Sequence, residues 1–84
     1  MANAGTLFAM TPFLVRVRTK PLPPAAPIGD MLIYVAVFET ADEALAATAR
    51  ELPEGWRTEE VVGVAAETVA EWYRSQPGHV ELLT

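Results

Sequence analysis

Apolar and polar residues alternate strictly near the start of the chain. In residues 13–20, "FLVRVRTK", Val15, Val17 and Thr19 fall on one side of an extended backbone and Arg16, Arg18 and Lys20 on the other. That period of two predicts a half-exposed strand. Residues 1–12 have no such period and are expected to fray. Residues 21–30, "PLPPAAPIGD", exclude helix, because proline fixes its own φ, lacks an N–H and pushes its predecessor toward extended geometry. They predict a stiff connector. Residues 31–39, "MLIYVAVFE", are apolar on both faces and rich in β-branched and aromatic side chains, the composition of a central strand covered on each side.

"TADE", residues 40–43, has the spacing of a capping box, with Thr40 accepting from the amide of Glu43 and Glu43 reaching back. It predicts a helix running to about Leu52, stopped by Pro53 and Gly55, with Ala41, Ala44, Leu45, Thr48, Ala49 and Leu52 facing inward. The stretch that follows, residues 58–78, admits two readings. At about 100° per residue, Val61, Val62, Ala65, Ala66, Val69, Trp72 and Tyr73 share one face, against Glu60, Gly63, Glu67, Glu71 and Arg74, so a long second helix is preferred. The alternative is a strand over residues 56–64, which would set Glu60 between Thr58 and Val62 on its inward face. "HVELL" closes the chain as a short strand.

The order is therefore ββααβ, or ββαβαβ if the strand alternative holds. Either is an α+β fold: a small, mostly antiparallel sheet with two helices packed on one face. One domain spans residues 13–84, with the proline-rich connector 21–30 inside it. An apolar "MLIYVAVFE" strand feeding directly into a helix resembles small α+β dimeric modules with ferredoxin-like sheets. No motif of a single family accompanies the resemblance.

Composition narrows the functional classes. With 84 residues, half of them apolar and a fifth charged, the chain has globular rather than disordered composition. It contains no cysteine, which excludes disulfides and thiolate zinc sites. No apolar run approaches the roughly 18 residues needed to span a bilayer, and the N-terminus lacks a basic leader region. A soluble protein without membrane attachment is expected, with the cytoplasm as its default location. Charge is distributed unevenly: residues 1–29 carry +3, from Arg16, Arg18 and Lys20, whereas residues 30–84 carry −8, for a net −5. An acidic body repels phosphate at a distance, which argues against a nucleic-acid partner.

The catalytic inventory is thin. His79 is the only histidine, and pairing it with Glu81 on one strand face supplies just two ligands, so no metal or other cofactor is expected and no catalytic residue is assigned. The only serine, Ser75, sits at a predicted helix end without a histidine partner. Glu60, Glu67 and Glu71 form an acidic stripe that is either solvated or matched by a basic partner. Trp56, just after Gly55, either covers the helix junction or projects as an interface anchor. Tyr34, Phe38, Trp72 and Tyr73 would line any pocket between sheet and helices.

The basic strand has three readings: an edge strand whose outward charges discourage pairing, a strand exchanged with a second copy to form a homodimer, or a tail that docks on an acidic partner. The expected function is a non-enzymatic interaction or regulatory module whose partner is another protein or itself, with Trp56, Arg16, Arg18, Lys20, Glu60, Glu67 and Glu71 as candidate contacts. The alternatives are a small-molecule-binding dimeric module and, further down, a cofactor-independent enzyme.

Overall fold

A computed structural model describes residues 10–25, 27–66 and 77–83. Within them lie four strands and one helix: β1 (Thr11–Arg18), β2 (Met31–Phe38), α1 (Ala41–Glu51), β3 (Arg57–Val64) and β4 (Val80–Leu82). The strands form one antiparallel sheet in the order β3-β1-β2-β4. The class is α+β, as expected. The ββααβ order is not, because residues 57–64 form a strand where the first half of a second helix was preferred. The rest of that helix, including Trp72 and Tyr73, falls outside the described residues.

β1 pairs with β2 along its whole length, Thr11 opposite Phe38 through Arg18 opposite Met31. With β3 on its other side it lies inside the sheet, so its basic residues do not guard an edge. The alternation places the side chains as expected. Val15 and Val17 are fully buried beneath α1 with Ala36 and Ala44, and Tyr34, Phe38, Leu45, Leu52, Trp56 and Val61 pack around them. On the opposite face Val35 and Val37 are also fully buried, with Met10 and Leu14 against them. Both faces of β2 are thus covered, which is why its sequence is apolar without alternation.

α1 begins at the capping box: Thr40 Oγ1 accepts from the Glu43 amide and the Glu43 carboxylate accepts from the Thr40 amide, both at 3.2 Å. Its buried residues are Ala44, Ala47 and Thr48. The Thr48 hydroxyl, fully buried, donates to the Ala44 carbonyl at 2.7 Å.

β3 is the element the sequence disguised. Its register with β1 slips twice, between Leu14 and Val15 and between Arg16 and Val17, so Val62 and Glu59 are extra residues in the strand. Thr58, Val61 and Val64 then lie opposite Val17, Val15 and Phe13, and Arg57, Glu60 and Gly63 lie opposite Arg18, Arg16 and Leu14. A period of two has become a period of three. That spacing imitates a helical face, and it also turns Glu60 away from the core.

Candidate functional site

Two groups of residues stand out, and the first explains the basic stripe. Glu59 lies between Arg16 and Arg18: its carboxylate accepts from Arg16 Nε at 3.0 Å and from Arg18 Nε at 3.1 Å, with Arg18 Nη2 at 3.3 Å. Arg16 Nη2 also donates to Glu60, and Arg57 stands 3.8 Å from Glu59. The bulge makes this possible, since it puts consecutive glutamates on the arginine face. Hydrogen bonding from Arg18, then the positive charge of Arg18 and Arg16, holds the Glu59 carboxyl below the ordinary carboxylate value of 4.5 against the opposing effect of partial burial. Two of the three cations of the basic stripe are therefore matched by carboxylates within the sheet. The arginines bond to glutamates of their own chain, as a structural ion network does.

The second group lies at the end of the sheet where β1 leaves and β2 enters. The connector is the loop of a long hairpin. Thr19 closes it twice, its N–H donating to the Asp30 carbonyl at 2.9 Å and its Oγ1 accepting from the Asp30 amide at 2.8 Å. Gly29 makes that closure possible with φ of 77°; a Cβ there would stand 2.1 Å from the Thr19 carbonyl oxygen. Between these fixed points residues 21–29 carry no charge and include four prolines. Leu22 and Ile28 retain 64 % and 71 % of their exposure, and Met31, beside the loop, 51 %.

Lys20 lies at the base of this loop, its aliphatic stem against Gly55. The next residue, Trp56, is half-buried against the core, and its N–H donates to the Pro53 carbonyl at 3.1 Å. Trp56 thus packs against the cluster of Val15, Val17, Ala36 and Ala44. Tyr34 and Phe38 share the helix-side face of β2 and are half-buried in the same core. Glu67, Glu71, Trp72 and Tyr73 lie outside the described residues, so of the acidic stripe only Glu60 is placed, on a strand and bonded to Arg16. His79 Nε2 and Glu81 Oε1 are 2.6 Å apart, as their spacing on a strand suggested. Among the described residues no three histidine, cysteine, aspartate or glutamate side chains gather as metal ligands, and no helix is long and apolar enough to cross a membrane.

No protein-family model matches the chain, and neither a curated protein nor a solved structure matches it. Sequence reasoning passed over Leu22, Ile28 and Glu59. The signal for the first two was available: two large apolar residues separated only by prolines and alanines, with no partner of either period to bury them. Glu59 carried no signal, because its role depends on a bulge.

Proposed function

We propose that this protein is a small non-enzymatic interaction module that docks a protein partner through the loop over residues 19–30. The observation that supports this reading is the exposure of Leu22 and Ile28 in an uncharged, proline-stiffened segment pinned at its base by Thr19, Gly29 and Asp30. Loops of this length in a compact domain are commonly functional. Covering such side chains releases water at about 25 cal/mol per Å² of apolar surface. Prolines restrict the loop before contact, so binding orders little that is not already ordered.

The chemistry of the surface describes the partner: an apolar groove wide enough for a leucine and an isoleucine, with an acidic rim to meet Lys20. Lys20 makes no ion pair among the described residues, unlike Arg16 and Arg18, so its charge is available to a partner. The test is the double substitution Leu22→Ser with Ile28→Ser. Both side chains are mostly in solvent, so stability should change by no more than about 0.5 kcal/mol. Partner recovered with the wild-type protein should be lost with this variant and kept with Asp42→Ser on the exposed face of α1. Equal recovery with all three would overturn the reading.

A further inference from the structure

The outer edge of β3 is guarded along only half its length. Residues 57–60 carry an arginine, two glutamates and a bulge, the usual devices against edge pairing. Residues 62–66, "VGVAA", carry no charge, and Val62 and Val64 retain 45 % and 54 % of their exposure. The Ala65 N–H donates to the Pro12 carbonyl at 2.9 Å, toward β1. By strand alternation the N–H and C=O of Val64 point the other way, out of the sheet edge. Gly63 adds open space, since a Cβ built there meets nothing within 4 Å.

We propose that a second copy of this chain pairs with this edge, antiparallel, about a two-fold axis at Val64. A two-fold contact must be self-complementary, and this segment is. Val64 lies opposite its own symmetry mate, where the two residues exchange both backbone hydrogen bonds and cover each other's side chains. Gly63 then faces Ala65 and Val62 faces Ala66. None of residues 62–66 is charged, so no like charges oppose each other in the ladder. The two sheets become one of eight strands, with β4 at both outer edges. A five-residue ladder between two chains of net charge −5 makes a weak contact, and salt, by screening that repulsion, strengthens it.

Sedimentation equilibrium of the full chain across concentration and salt tests this. The expected result is a mass rising from 9.1 kDa toward twice that value by about 1 mM, the range of weak contacts, and rising at lower concentration in higher salt. Val64→Pro removes an N–H that β1 does not use, and should hold the protein at the single-chain mass with its circular dichroism unchanged. Val64→Lys, a second variant in case proline disturbs the strand, sets two like charges face to face and should do the same, although it lowers the net negative charge of each chain. A single-chain mass for the wild type throughout, or a doubled mass that survives both substitutions, would overturn the proposal. Either result leaves the loop reading intact, because Leu22 and Ile28 lie far along the hairpin from Val64.

Discussion

At Gly29 the backbone adopts φ of 77° within bonding reach of Thr19, and the position of a missing atom decides the residue type. Gly29→Ala must relieve both a left-handed conformation and a collision with a backbone oxygen; urea denaturation should show a loss of roughly 2–3 kcal/mol. Gly63→Ala, with φ outside that region and open space at Cβ, should not share this cost. Glu59 makes a different prediction. Its carboxyl titrates below the ordinary value because the folded state stabilises the ionised form, so its contribution is present above the unfolded value near 4.5 and lost as pH falls through the lowered one. Denaturation midpoints measured across that acid range should fall more steeply for the wild type than for Glu59→Gln. Parallel profiles would mean that the arginines do not perturb Glu59. The arginine stripe was legible in the sequence from its alternation, but its partner was not, since nothing local distinguishes Glu59 from its neighbours.

Among the elements, α1 is the one whose sequence and structure agree most closely, because its determinants are local. The capping box lies within four residues, and Pro53 follows directly on the C-cap at Leu52. Thr40→Ala removes one half of that box and should cost about 1 kcal/mol in chemical denaturation, with Glu43→Ala costing less. The inward face was legible to within one position: Ala47 is buried where Ala49 was expected. Ala44, fully buried between helix and sheet, has no room to grow, so Ala44→Leu should lower stability by roughly 1–3 kcal/mol. β3 is the opposite case. Two bulges replaced its alternation with a spacing of three, and only its pairing partner β1, separated from it in the chain by β2 and α1, reveals them. Its β-branched content, Thr58, Val61, Val62 and Val64, was the usable clue. Periodicity outweighed it.

For the molecule as a whole, the sheet sorts the chain's features into those that hold it together and those that face outward. The two arginines of the basic stripe, conspicuous in sequence, belong to the first kind because Glu59 and Glu60 bind them. The proline-rich segment, which looked like a connector, belongs to the second. It joins two adjacent antiparallel strands that a few residues would suffice to link, and it exposes Leu22 and Ile28 instead of burying them. Alternation and turn residues reveal which residues a strand turns inward, but whether a linker is a spacer or a surface depends on what packs over it, and that is a tertiary property. The measurement that tests this most directly is site-specific photo-crosslinking in the cells that make the protein, with the reactive side chain at position 28 and, separately, at position 42 on the exposed face of α1. A discrete adduct to another protein is expected from position 28 alone, displaced by excess unlabelled wild-type protein and not by the Leu22→Ser, Ile28→Ser variant. No adduct from position 28, or the same adduct from both positions, would contradict it.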